Sequence, residues 1–324
     1  MSAEELNLLP KEAISLAGLK NKRISLIGYG NQGKAHAKNL RDSGLYIIIG
    51  TRNPQCAQCD GFQAVSIAEA SDADLIIIAL PDDVQGNVFT KLIEPNLRDG
   101  ATLGFIHGFS ILYKTIEPKE GIGVVMVAPK GPGVTVRDRF KAGTGVPALL
   151  AVHQENKSTT ARDIAIAWAT GIGSARTGIL ESTFQHETET DLFGEQAIIV
   201  GGLTTLIKAS FETLVSAGYP PSLAYIECCH EVKQVADIIF EKGIAEMMAD
   251  ISNTAEIGAY EAMDILDDSQ LRSKLQTLLS NVQNGTFAKR LVTQQIKSKR
   301  KELANHEIER IGKKIRSLML QDDE

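Results

Sequence analysis

The sequence predicts two domains of different class: an α/β domain built on a doubly wound parallel sheet, then an all-α domain. Three features predict this. Short β-rich apolar runs alternate with helical stretches from residue 23 to the region of residue 153. A glycine-rich turn stands at the first β-to-α junction. After Glu181 the apolar residues change to helical spacing and no convincing strand follows.

The strands are expected at Arg23–Ile27, Tyr46–Ile49, Leu75–Ala79, Thr102–Ile106, Val124–Ala128 and Pro147–Val152. Continuous apolar strands joined by crossovers belong in a parallel sheet covered on both faces. In the second half Ile198, Ile199, Leu203, Leu206, Ile207, Phe211, Leu214 and Val215 recur at helical spacing, and Gly218-Tyr219-Pro220-Pro221 is the expected stop for their helix. A chain of 324 residues, against a usual domain size of roughly 100 to 200, fits two units. Residues 1–183 are expected to form a dinucleotide-binding domain and residues 184–324 a helical one. No repeat or low-complexity tract interrupts them, and the basic run Lys297–Lys301 reads as a solvated helix end.

Gly28-Tyr29-Gly30-Asn31-Gln32-Gly33 fits GxGxxG with a strand before it and the helical stretch Lys34–Arg41 after it. Small residues let the backbone turn sharply and approach a diphosphate, whose charge the helix N-terminus meets. That context makes the domain Rossmann-like and implies a nucleotide cofactor. The second strand ends Gly50-Thr51-Arg52-Asn53, with no acid to hold a ribose 2′-hydroxyl. Arg52 instead offers a cation to pair with a 2′-phosphate or to stack on adenine, which tilts toward NADPH and leaves NADH open.

A net charge of −6 and a pI of about 5.6 supply no basic field for a nucleic-acid backbone, so no nucleic-acid partner is expected. The longest apolar runs, such as Leu75–Leu80 and Ala197–Val200, fall short of the roughly 20 residues that cross a bilayer, so no membrane span is expected either. The opening MSAEELNLLPKEA lacks the order of a secretory signal and the Arg-rich character of a transit peptide, which points to the cytoplasm. Four cysteines make no disulfide framework. The Cys56–Cys59 CxxC has no second ligand pair to complete a zinc site.

The second half carries two acid pairs at i,i+4: Asp191 with Glu195, and Glu227 with Glu231. Each pair shares a helix face, where like charges repel by roughly 0.2 to 0.5 kcal/mol. Solvated acidic faces are the common reason for such pairs. Here Leu192, Phe193, Ile198 and Ile199 flank the first, and Ala224, Tyr225, Ile226 and Val232 the second, so burial with a metal is expected. Hard oxygen ligands suit Mg²⁺ or Mn²⁺, and four carboxylates balance two such ions.

Taken together, these segments resemble ketol-acid reductoisomerase (acetohydroxy-acid isomeroreductase) in its short, class I form. The resemblance runs over essentially the whole chain: GYGNQGKAHAKNLRDSG (28–44), HGF (107–109), MVAPKGPG (126–133), ETETDLFGEQ (187–196), AYIECCHEV (224–232), SNTAEIG (252–258) and HEIERIGKKIRSLM (306–319). It implies that His107 and Lys130 are catalytic, that Asp191, Glu195, Glu227 and Glu231 hold two Mg²⁺, and that Ser252 contacts substrate. Cofactor contacts are implied for Gly28 to Gly33, that is Gly28, Tyr29, Gly30, Asn31, Gln32 and Gly33, and for Arg52, Asp82, Asp83, Val84, Gln85 and Gly133. The implied reaction is alkyl migration in 2-acetolactate or 2-aceto-2-hydroxybutyrate followed by hydride transfer, in valine and isoleucine synthesis. A knotted helical domain and a homodimer or higher homo-oligomer are implied too.

The sequence departs from the family pattern in the loop TRNPQCAQCDG, which is short and lacks the serines that commonly hold a 2′-phosphate. Leu112, Val134 and Ile257 stand where histidine, histidine and tyrosine are common. Two other readings use the same features. A 3-hydroxyisobutyrate-type dehydrogenase would turn over without metal, and a nucleotide-sensing protein would bind without turnover.

Overall fold

In the computed structural model, residues 7–291 and 296–319 are described. The chain divides into two compact units, Met1–Thr190 and Asp191–Glu324. The first holds an eight-stranded sheet: β1 Ile24–Ile27, β2 Ile47–Gly50, β3 Gln63–Val65, β4 Leu75–Ile78, β5 Thr102–Phe105, β6 Gly123–Pro129, β7 Ala148–Gln154 and β8 Ile179–Glu181. Their spatial order is β3-β2-β1-β4-β5-β6-β7-β8. Strand order reverses between β1 and β4, and an open α/β sheet holds its ligand at the carboxyl ends beside that point.

All six expected strands are present, with two additions and one change of direction. β3 and β8 have only three residues each and are not fully buried, so neither shows the continuous apolar run that marks β1 and β4. β7 runs antiparallel to β6, pairing Pro129 with Ala148 and Val127 with Leu150, where a wholly parallel sheet was expected. The chain between them leaves and re-enters at one end of the sheet, and Lys130 N–H donates to the Pro147 carbonyl at 2.8 Å. Apolar composition is the same for either strand direction, so it carries no sign of this reversal.

Helices α1 Asn31–Asp42, α2 Gln55–Cys59, α3 Ile67–Ala70, α4 Asp82–Val88, α5 Phe109–Leu112, α6 Gly133–Lys141 and α7 Ala161–Gly171 accompany the sheet. Two apolar clusters use its alternating side chains, one with Leu26, Ile49, Ile77, Val125 and Trp168, the other with Ile27, Ile76, Ile78, Val124 and Phe105. Trp168 of α7 is fully buried. A Cβ on Gly104 of β5 would stand 2.7 Å from its ring, so only glycine admits the indole there.

Trp168 Nε1 donates to His36 Nδ1 at 3.1 Å. His36 is fully buried, and burial pushes its imidazole down from the ordinary 6.5 to about 3. The folded state holds it neutral while the unfolded chain protonates below 6.5, so its contribution is complete above that pH and is lost as pH falls toward 3, at about 1.4 kcal/mol per pH unit. Between pH 6.5 and 5, urea denaturation is expected to register a loss of about 2 kcal/mol that His36→Gln removes. Identical pH slopes in the two proteins would exclude His36 as the source.

The second unit is helical. α8 Phe184–Gly194 leads into it, followed by α9 Gly201–Ser216, α10 Pro221–Tyr225, α11 Val232–Lys242, α12 Ile244–Asp250, α13 Asn253–Leu266, α14 Ser269–Gln283, α15 Thr286–Leu291, α16 Ile296–Ala304 and α17 Glu307–Met319. Phe211, Ala224, Tyr225 and Ile315 form a small core. α9 stops where expected, with Gly218 at φ 93°. Two turns are π-helical, Glu195–Ile199 and Ile226–His230.

The first π turn has a local cause. A Cβ on Gly201 would lie 2.3 Å from the Gln196 carbonyl oxygen, and one on Gly202 would lie 2.0 Å from that of Ala197, so paired glycines admit the turn. The helix Phe184–Ser216 spans 33 residues and contains an 18-residue window of mean hydropathy 1.5, long and apolar enough by length and composition alone to cross a membrane. One such helix is weak evidence for a span, and the uninterrupted apolar runs within it are short, as expected. Gly201, Gly202, Thr204 and Thr205 break those runs at little cost in hydropathy, so counting uninterrupted apolar residues misses the window.

Candidate functional site

The dinucleotide turn folds as its glycines require. Gly28 sits at φ 98°, and a Cβ there would stand 2.6 Å from the Ala79 carbonyl oxygen on the neighbouring strand's exit. A Cβ on Gly33 would stand 2.3 Å from the Gly28 carbonyl oxygen, so this glycine lets α1 pack on the turn. Gly30 differs: nothing lies within 4 Å of its Cβ position. That open face, at the N-terminus of a helix whose first residues have no side-chain cap, is the room and the partial positive charge that a diphosphate needs.

A cavity of about 570 Å³ opens at these strand ends. Among the expected cofactor residues, Gly28, Tyr29, Gly30, Asn31, Gln32, Arg52, Asp82 and Gln85 line it, and so does His107. Gly33, Asp83, Val84 and Gly133 are outside its lining. Gly133 has another reason to be glycine, since a Cβ there would meet the Asn31 carbonyl oxygen at 2.3 Å. Gln32 Nε2 donates to the Gly131 carbonyl at 2.9 Å, which ties the dinucleotide turn to the loop that follows Lys130. The Gln85 amide is engaged by the Leu80 carbonyl, Asp82 and Ser110 at 2.8, 2.9 and 2.8 Å.

His107 and Lys130 follow adjacent strands, β5 and β6, and one carboxylate joins them. Glu187 of α8 is 1% exposed. It accepts from Lys130 Nζ at 2.8 Å, from Gly108 N–H at 3.2 Å, and faces His107 Nδ1 at 3.0 Å. A Cβ on Gly108 would lie 2.3 Å from Thr188 Oγ1, so the glycine of HGF is what lets α8 approach closely enough. Burial pushes the Glu187 carboxyl up, but His107 and Lys130 outweigh it and hold the group below its usual range. The carboxylate orients the imidazole through Nδ1 and stands as counter-charge to the Lys130 ammonium.

Sequence reading passed over Glu187. The signal is in the spacing: Glu187, Asp191 and Glu195 stand at successive i,i+4 positions, which extends the expected pair by one turn. Asp191 lies one turn beyond Glu187 on α8 and is half-buried, and Glu195 is exposed at the start of the first π turn. Glu227 lies within the second π turn and Glu231 just after it, both exposed. π turns recur at functional positions in helices.

The expectation that these acids are buried is not met within one chain. Of their apolar flanks, Leu192, Ala224 and Tyr225 are buried, while Ile198 and Ile199, with Val200 beside them, are each more than half exposed. Apolar flanks in a sequence do not say which surface meets them, and a contiguous exposed apolar patch marks an interaction site. Ser252 caps α13, its Oγ accepting from Ala255 N–H at 3.2 Å. Val134 and Ile257, two of the departures from the family pattern, are exposed.

Comparison with known proteins gives consistent matches. Residues 18–178 match the family described as acetohydroxy acid isomeroreductase, NADPH-binding domain, and residues 184–321 match ketol-acid reductoisomerase, C-terminal domain. A solved structure of an NADH-preferring ketol-acid reductoisomerase from an uncultured archean is 40% identical, with a TM-score of 0.93 over 97% of this chain and 99% of that one. A semialdehyde dehydrogenase NAD-binding protein from Cupriavidus necator, in complex with calcium and NAD, is 18% identical. Its TM-score is 0.61 over 82% of this chain and 99% of its own. A putative oxidoreductase from Jannaschia sp. CCS1 is 15% identical, with a TM-score of 0.60 over 81% and 97%. The last two are similar in fold alone.

Proposed function

The chain belongs to the ketol-acid reductoisomerase family and is an NAD(P)H-dependent oxidoreductase with an isomerase step. On that premise we propose that it converts 2-acetolactate and 2-aceto-2-hydroxybutyrate to the 2,3-dihydroxy acids of valine and isoleucine synthesis, in the cytoplasm, with Mg²⁺ and NADPH. The observation that carries the chemistry is the Glu187 carboxylate shared by His107 and Lys130 beside the dinucleotide cavity.

The residues fit the groups this reading requires. Gly30 leaves an open cradle for the diphosphate, and Asp191, Glu195, Glu227 and Glu231 form an all-oxygen donor set suited to two Mg²⁺. When bound, the metal supplies polarisation of the substrate's oxygens and the nicotinamide supplies the hydride. The chain's own residues do the remaining work. Lys130 Nζ, paired with Glu187, offers a proton to an oxygen on which negative charge develops. His107, held through Nδ1, presents its other ring nitrogen for proton exchange. Ser252 supplies a substrate contact.

Residues 1–183 serve as the dinucleotide domain, and 184–324 as the metal, substrate and dimerisation domain. The uncovered Ile198, Ile199, Val200, Ile257, Ile265 and Leu266 support a homo-oligomer, in which a second copy covers what one chain leaves in water. For the cofactor, exposed Arg52 at the cavity wall supports NADPH with NADH accepted, since one known relative prefers NADH.

Dinucleotide oxidation measured with 2-acetolactate, with and without Mg²⁺, tests the reading. Turnover that depends on Mg²⁺ is expected; equal turnover in a chelator would sink the metal assignment. Arg52→Ala is expected to raise KM for NADPH about tenfold and to leave NADH within about twofold, the behaviour of a lost phosphate contact. Equal changes for both would remove the 2′-phosphate role.

A further inference from the structure

The loop between β2 and β3 carries the residues expected to read the adenosine ribose, yet it is short and contributes only one cation, Arg52, to the cavity wall. Its far end is anchored by a residue outside that wall. Asp60, which caps the C-terminus of α2, accepts from Tyr29 Oη at 2.9 Å and from Lys38 Nζ at 2.8 Å. Tyr29 is the second residue of the dinucleotide turn, and Lys38 belongs to α1. The Asp60 backbone carbonyl also accepts from Arg41 Nη1 at 2.6 Å.

Aromatic and cationic contacts close the same cluster. The Tyr29 ring meets Phe62 edge-on at 5.8 Å, Arg41 stacks over Phe62 at 4.6 Å, and Lys34 stands 5.7 Å over the Tyr29 ring. The Asp60 carboxyl is held low, chiefly by Lys38, so it remains an acceptor for both donors. The near end of the loop is fixed too, by Thr51 N–H donating to the Val65 carbonyl at 3.1 Å. Residues 51–59 are therefore held at both ends, and one of the two anchors is the turn on which the diphosphate rests.

We propose that Asp60 is a positioning residue for dinucleotide binding and cofactor choice: through Tyr29 and Lys38 it locks the ribose-reading loop to the diphosphate turn. This rests on the dinucleotide reading of the cavity. The loop bearing Arg52 and Cys56 is pre-set before the cofactor arrives, so little ordering is left to oppose binding. NADPH, whose 2′-phosphate uses Arg52 as well as the turn, depends on that pre-setting more than NADH does.

Calorimetric titration of NADPH and NADH into wild type, Asp60→Asn, Tyr29→Phe and the double variant tests it without turnover. Asp60→Asn is expected to raise Kd about tenfold for NADPH and about threefold for NADH, and Tyr29→Phe about threefold for NADPH. The double variant should bind no more than about twofold weaker than Asp60→Asn, since both substitutions cut one link. Tyr29→Phe removes a single hydroxyl and carries the test if Asp60→Asn fails to fold by circular dichroism. Kd values within twofold of wild type in both variants, tighter NADPH binding in Asp60→Asn, or multiplying losses in the double variant would each overturn the proposal. Absence of any dinucleotide binding by wild type would instead overturn the cavity reading beneath it.

Discussion

Glu187→Gln is expected to lower kcat/KM on 2-acetolactate by about a hundredfold or more, with dinucleotide Kd held within about threefold. The carboxylate oxygens accept from three donors, Lys130 Nζ, Gly108 N–H and His107 Nδ1. A glutamine has one acceptor atom and turns an NH₂ toward at least one of those donors, and it leaves the Lys130 ammonium without its buried counter-charge. Breaking a buried pair in this way also costs stability, about 3 kcal/mol, readable by urea denaturation. The pH dependence has a definite sign. A carboxyl held below the ordinary 4.5 stabilises the fold fully above that value, and the contribution is lost as pH falls through the lower native value. Unchanged turnover in Glu187→Gln would show that His107 and Lys130 work without a shared anchor.

Glu227→Gln is expected to reduce turnover of 2-acetolactate by more than about a hundredfold while NADPH binds as in wild type. The substitution keeps size and shape but replaces a charged oxygen ligand by a neutral one, and a hard divalent cation depends on that charge. Glu227 is exposed and lies in a π turn, so little fold stability is at stake. Calorimetry with Mg²⁺ alone separates the metal step from the chemistry: weaker Mg²⁺ binding is expected, and wild-type affinity together with normal turnover would remove Glu227 from the metal set.

Much of the site was legible in sequence because its parts are local. Gly28 must take positive φ, Gly30 must leave room and Gly33 must admit α1, and all three demands fall within six consecutive residues. The i,i+4 acids are visible for the same reason. Glu187 was harder to find. Its partners His107 and Lys130 lie 80 and 57 residues away, and nothing local in ETETD separates an acid that faces them from one that faces water. The apolar flanks of the acid pairs misled on burial, since Ile198 and Ile199 are uncovered in one chain. The π turns escaped too, although the Gly201-Gly202 pair that admits one of them stands in plain view.

By itself, then, the sequence determined the order of the two domains, six of the eight strands, the dinucleotide turn and the family, because periodicity and glycine sterics act over a few neighbouring residues. Only the tertiary structure decided that β7 runs antiparallel to β6, that Gly108 makes way for α8, that Asp60 ties the β2–β3 loop to the glycine turn, and that Glu187 unites His107 with Lys130. These depend on which surfaces meet after the chain has packed, and close packing joins residues whose separation along the chain carries no record of the contact.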